Sequence, residues 1–147
     1  MKEHRHFGVY GLIINDGKIV LIKKANGPYT GKLDLPGGSF EFGETPEETL
    51  KREILEEVGI EIKNYELYDA NSVLVDWNWD GDLYKVHHVG FFYKVLNYTK
   101  KIKKEVYIDS HNDDSLGADF YEISELSRDN LSNIAILELE KLGYNID

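Results

Sequence analysis

An α/β fold in three layers, with a mixed β-sheet held between helices, is the class that this sequence predicts. Three observations carry the expectation. Residues 7 to 15, FGVYGLIIN, are apolar on both faces, as in a central strand. Residues 46 to 58 and 132 to 142 space their apolar side chains as helices do. The elements follow one another as strands, helix, hairpin, strand and helix, with no repeat, linker or low-complexity stretch between them. A length of 147 residues suits one domain, 1–147, with a full hydrophobic core.

The first strand ends at Asp16-Gly17, a two-residue hairpin signal, and KIVLIKK returns beside it. The loop ANGPYTGK leads into Leu33-Asp34-Leu35-Pro36-Gly37-Gly38. The paired glycines allow backbone conformations closed to other residues and a close approach to a ligand. The first helix carries its own punctuation. Thr45 is placed to cap it, Pro46 suits its first position, and Glu48 completes a capping box. Gly59 stands where a left-handed residue ends it. Leu50, Ile54, Leu55 and Val58 are expected to form the apolar arc that packs on the sheet.

Residues 62 to 77 and 82 to 96 pair as a hairpin around a turn at 78 to 81. His87 and His88 fall on opposite faces of its second strand, and a buried, hydrogen-bonded or exposed role is expected for each, not metal ligation. Tyr29, Trp77 and Trp79 lie in or beside loops, where base stacking, partial burial and a homodimer contact are all open readings. Lys100, Lys101, Lys103 and Lys104 read as a solvated basic patch, with phosphate steering as the alternative. Asp113-Asp114 precede LGADFYEI, a short strand, and residues 132 to 142 form the closing helix before Gly143.

The chemistry is concentrated on the first helix. Positions 56 and 57 lie about 60° and 40° to either side of Glu53, so three carboxylates share one face. Like charges this close destabilise a bare helix and call for a compensating cation. Mg²⁺ or Mn²⁺, hard ions that prefer oxygen ligands, are the natural candidates. Arg52 stands four residues from both Glu48 and Glu56 and is placed to orient them, while Thr49, a small residue, leaves room for an ion.

Composition excludes several classes. There are no cysteines, hence no disulfides and no thiolate metal site. MKEHRHF has no apolar signal region and no stretch approaches a membrane span, so a cytoplasmic protein without a membrane partner is expected. A formal charge of −10 disfavours binding to a nucleic-acid polymer. Small phosphate-bearing substrates remain open, since a metal supplies positive charge locally.

Read alone, E-x-x-E-E describes an acidic solvated helix face, but the whole spacing says more. Gly38, Glu44, Arg52-Glu53, an aliphatic at 54, Glu56-Glu57, Gly59 and an aliphatic at 60 fill every fixed position of one pattern. This resembles the signature of the Nudix hydrolase family without a departure inside it. The resemblance implies the Nudix-type α/β/α sandwich and hydrolysis of a diphosphate bond in a nucleoside diphosphate linked to another group. It implies Gly38, through its carbonyl, with Glu53, Glu56 and Glu57 as metal ligands. Glu53 either ligates metal or accepts the proton of the attacking water, and Glu44 supports these groups by hydrogen bonding. A further acid often comes from a loop before a late aromatic-bearing strand, where Asp114 stands here. Members commonly carry tryptophan where this chain has Leu33, a difference of packing near the site.

A (deoxy)nucleoside triphosphate is the expected substrate, a small-molecule partner. ADP-ribose or a dinucleoside polyphosphate is the alternative. Several such subfamilies carry proline or tyrosine about sixteen to eighteen residues beyond the box, where this chain has Asp76, Trp77 and Asn78. A non-catalytic nucleotide-sensing module is the reading from another class, and it would be expected to lose box glutamates, all of which are present.

Overall fold

The computed structural model describes residues 1–99 and 115–147. Asp113, Asp114, Lys100, Lys101, Lys103 and Lys104 therefore lie outside the described residues. The elements in order are β1 (Lys2–Leu12), β2 (Ile14–Asn15), β3 (Lys18–Lys24), β4 (Leu33–Asp34), β5 (Gly37–Ser39) and α1 (Pro46–Val58). They continue with β6 (Ile62–Trp79), β7 (Asp82–Tyr98), β8 (Ser115–Glu122), a 3₁₀ turn at Ile123–Glu125, and α2 (Asn133–Lys141).

Two sheets result. One runs β5-β1-β7-β6, with β1 and β7 parallel and the other pairs antiparallel. In the other, β3 pairs β2 and β4, and also β8, all antiparallel. The sheet is mixed, as its sequence predicts, but it is divided in two. β1 is also longer than its apolar pattern. Its polar start, Lys2 to His6, is held in the ladder because β7 extends far enough to pair with it, Lys2 facing Tyr84.

The alternation along β1 and β3 explains the layering. Tyr10, Leu12, Ile19 and Leu21 join a core with Ile134, Ala135 and Leu139 of α2. Val9, Ile13, Val20 and Ile22 point the other way, into a core with Leu50, Ile54 and Val58 of α1. With side chains alternating at every residue, a strand apolar throughout must be covered on both sides, and a helix covers each.

Both tight turns have positive φ at each central residue, Asp16-Gly17 (51° and 74°) and Asp80-Gly81 (51° and 81°), as primed hairpin turns require. The second lies later than the expected 78 to 81, because Asn78 and Trp79 still pair with Leu83 and Asp82. α1 has the predicted ends: Thr45 and Glu48 form the reciprocal capping box, Pro46 follows, and Gly59 closes at φ 79°. Its apolar arc is narrower than predicted. Leu55, one residue or about 100° round the helix from Ile54, is 55% exposed. Among the described residues no helix is long and apolar enough to cross a membrane.

Candidate active site

Gly37 and Gly38 bring β5 against the carboxylate face of α1. A Cβ on Gly37 would lie 2.0 Å from the Val9 carbonyl oxygen, and one on Gly38 would lie 2.7 Å from the Glu53 carboxyl carbon. At Gly37 the clash is with backbone and excludes a side chain; at Gly38 a Cβ would displace the Glu53 carboxylate, so glycine there lets Glu53 lie against the strand. Glu57, buried on the same helix, accepts the Gly37 N–H at 2.8 Å. Glu56, one residue earlier, is half exposed at the rim.

Arg52 joins these groups. Its Nε donates to Glu44 Oε2 and its Nη2 to Glu44 Oε1, both at 2.8 Å. Its Nη1 donates to Glu53 Oε1 at 2.9 Å and reaches Glu56 Oε2 at 3.5 Å, while Nη2 also donates to the Ser39 carbonyl at 3.0 Å. Glu44 gains two further donors, the Thr49 hydroxyl at 2.9 Å and the Glu41 N–H at 2.8 Å. The hydrogen-bonded Arg52 is the main reason its carboxyl is held down at about 2, with the Glu41 and Thr49 donors adding to it against partial burial. The same contacts hold the guanidinium above its usual range, bonding to Glu44 foremost.

Two expectations are corrected here. Arg52 does not pair with Glu48, whose carboxylate is turned back on the Thr45 N–H by the capping box. Thr49 leaves no open space either, since it is fully buried with its hydroxyl on Glu44. Glu44, Arg52, Glu53 and Gly38 lie together, with Glu57 beside them on Gly37. Asp114 lies outside the described residues.

The residues fit a hard divalent ion in kind, being carboxylates and a backbone carbonyl beside a glycine cradle. Among the described residues, however, no group of three acidic or imidazole side chains is already disposed around one ion. Arg52 holds Glu53, and the Gly37 N–H holds Glu57.

A second polar cluster adjoins the site, and the sequence did not assign it. His88 is 2% exposed, with Nε2 bonded to the Tyr10 hydroxyl at 2.6 Å and Nδ1 to the Tyr29 hydroxyl at 2.9 Å. Burial, assisted by nearby His6 and Lys24, pushes its pKa down to about 3, so it is neutral. Tyr29 thus takes the burial reading, its own pKa raised by burial and by Asp34. His6 stacks on His88 at 4.6 Å and bonds through Nε2 to the Ser39 hydroxyl at 2.7 Å. Period-two alternation put His87 and His88 on opposite faces and left the role of each open; His88 takes the buried, hydrogen-bonded one, and no sequence signal gave its partners. Trp77 and Trp79 stack on each other at 5.8 Å beside Tyr84, at the far end of the β6–β7 hairpin.

Comparison with known proteins places this geometry in context. The family model for the NUDIX domain matches residues 2–138. An ADP-ribose pyrophosphatase from Methanocaldococcus jannaschii is 51% identical over 57 residues, covering 39% of this chain and 34% of that protein. An 8-oxo-dGTP diphosphatase from Escherichia coli is 39% identical over 85 residues, covering 49% of this chain and 66% of that protein. The chain thus spans from about a third to just under two thirds of the length of these relatives. The crystal structure of a MutT NUDIX hydrolase from Burkholderia pseudomallei superposes with a TM-score of 0.74 at 24% identity. It covers 95% of this chain and 98% of that one, and the two share a fold.

Proposed function

The chain belongs to the NUDIX domain family, and from that premise we propose that it is a pyrophosphohydrolase of a (deoxy)nucleoside triphosphate, working with Mg²⁺ or Mn²⁺. The observation that carries the reading is the Glu44–Arg52–Glu53 cluster set against Gly38. Glu53, Glu56, Glu57 and the Gly38 carbonyl are the groups that would hold the ion. When bound, it supplies charge neutralisation for the diphosphate and a more acidic water.

The protein's own residues do the rest. Arg52 fixes the Glu53 carboxylate through Nη1, which orients it toward the ion it would ligate or the water whose proton it would accept. Glu44 stays ionised at any working pH because Arg52, Thr49 and the Glu41 N–H stabilise its charge. That keeps the guanidinium in place, where it orients without serving as an acid. Glu57, through Gly37, fixes the turn that presents the Gly38 carbonyl. Asp114 is proposed as the supplementary acid.

The relative named 8-oxo-dGTP diphosphatase supports a triphosphate substrate, as does the lack of proline or tyrosine at Asp76, Trp77 and Asn78. The higher identity to an ADP-ribose pyrophosphatase, 51% over 57 residues, favours ADP-ribose as the second reading. We take residues 1–147 as one catalytic domain working in the cytoplasm on small nucleotides. A screen of nucleoside triphosphates, ADP-ribose and dinucleoside polyphosphates with Mg²⁺ or Mn²⁺, and identification of products, tests this. Release of pyrophosphate and a nucleoside monophosphate supports the first reading. Turnover of ADP-ribose alone replaces it with the second, and no turnover of any of them rejects both.

A further inference from the structure

Ser39 is approached from both sides of its sheet. Its carbonyl accepts Arg52 Nη2 at 3.0 Å, from the layer that holds α1. Its hydroxyl meets His6 Nε2 at 2.7 Å, on the other face. The register fixes this arrangement. Gly8 is paired with Ser39, and His6 lies two residues from Gly8 and four from Tyr10, so all share the face that packs toward α2.

His6 is not free to wander. Its ring stacks at 17° on His88, and His88 is itself held at both nitrogens by Tyr10 and Tyr29. A buried, neutral imidazole with both ring atoms bonded is a rigid backing plate. It limits the positions open to His6, and His6 in turn limits Ser39. The strand β5 is only three residues long, so it has little ladder of its own to define where the Ser39 carbonyl points. Among the described residues, that carbonyl is the backbone acceptor for the Arg52 guanidinium, whose other contacts are carboxylates.

We propose that His6 is a positioning residue for hydrolysis, acting through Ser39 on Arg52 and hence on Glu44 and Glu53. The proposal rests on the functional reading above. His6 touches neither substrate nor ion. It sets where the guanidinium sits, and so how the Glu53 carboxylate is aimed, from the opposite face of the sheet.

The test uses His6→Ala, His6→Gln, Ser39→Ala and the double variant His6→Ala/Ser39→Ala, with His87→Ala on the other face of β7 as control. Loss of one hydrogen bond's worth of positioning lowers kcat about three- to tenfold in each single alanine variant. KM should stay within about twofold, since no substrate contact is lost. The double variant should be no worse than either single one, because both break the same link. His6→Gln, which can still offer an N–H toward Ser39, should recover much of the loss. In the metal-free protein, the Arg52 Nε–H resonance should shift in His6→Ala and Ser39→Ala but not in His87→Ala. Additive effects, an effect carried by KM, or an unmoved Arg52 resonance would each overturn the proposal. If the parent protein hydrolyses no nucleotide, the functional reading fails, and the Arg52 resonance still decides whether His6 positions the guanidinium.

Discussion

Arg52 holds Glu44 by two parallel hydrogen bonds of 2.8 Å, Nε to one carboxylate oxygen and Nη2 to the other. A planar fork of this kind matches a carboxylate in both distance and direction, which an ammonium group cannot do. Arg52→Lys keeps the charge and loses the fork. Activity should fall by about 10–100-fold, the usual cost of losing a group that orients metal ligands. A steady-state kcat within twofold of the parent would mean that charge alone suffices, which the geometry argues against.

The ligand assignment is tested by charge removal. Glu56→Gln and Glu57→Gln should weaken Mn²⁺ binding by calorimetry while leaving the far-ultraviolet spectrum intact. The two should differ in stability, since Glu57 is buried and accepts the Gly37 N–H at 2.8 Å, whereas Glu56 is half-exposed and reaches Arg52 at 3.5 Å. An excess of chelator should abolish turnover, and undiminished activity in its presence would refute metal dependence.

Thr45 makes the capping box with Glu48, at 3.2 and 3.0 Å. Thr45→Ala should cost about 0.5–2 kcal/mol of stability. An unchanged thermal midpoint would show that Glu48 alone sustains the helix start.

Glu138 predicts a pH dependence unconnected with catalysis. It is fully buried on α2, and among the described residues its oxygens and Asp69 Oδ2 have no hydrogen-bonding partner beyond one another. Burial first, then Asp69, pushes Glu138 up to about 8. Asp69 is lowered despite burial, through hydrogen bonds from Lys141 and Glu138. Between the ordinary carboxyl value of about 4.3 and this raised one, the folded chain retains a proton that the unfolded chain has released. Stability attributable to Glu138 is therefore complete in acid and declines as pH rises toward 8. Asp69 acts in the opposite sense, only below about pH 4. Glu138→Gln, neutral throughout, should gain on the parent from pH 5 to pH 8 in urea unfolding. Parallel stability curves for the two proteins would remove the shared proton from consideration.

Asp114 offers the remaining test of the catalytic assignment. Asp114→Asn should lower kcat by about 10²–10⁴-fold if it takes the water proton, with a much smaller change in KM. Asp113→Asn is the neighbouring control. A near-normal kcat in the Asp114 variant would leave proton transfer to Glu53.

Much of this was legible in the sequence because it is local. The caps of α1, the Asp-Gly turn after β1 and the two-faced apolar strand all depend on residues within a few positions of each other. The Glu53–Gly38 approach was legible for another reason, the family spacing. What escaped depends on contacts between distant segments. Leu55 fits an apolar arc on paper, yet the platform is only wide enough for Leu50, Ile54 and Val58. Arg52 was matched to Glu48 by helical spacing, but the preceding loop delivers Glu44 to it instead. No local pattern marks Glu138 of α2 for burial, which arises where Asp69 of β6 packs against it. The partners of His88 come from β1 and from the loop before β4, and no periodicity links those three places.

The parallel ladder of β1 on β7, from Lys2–Tyr84 to Leu12–Lys94, has a consequence for biogenesis. Each residue of β1 meets its partner more than half a chain later. During synthesis, which proceeds from the N-terminus, the platform beneath the Gly37-Gly38 turn thus remains an open edge until β7 has emerged. Such separations slow folding and leave unpaired strand edges exposed to other chains in the interval. A nascent chain halted before Asp82 would carry every glutamate of the helix and no finished surface to set them against.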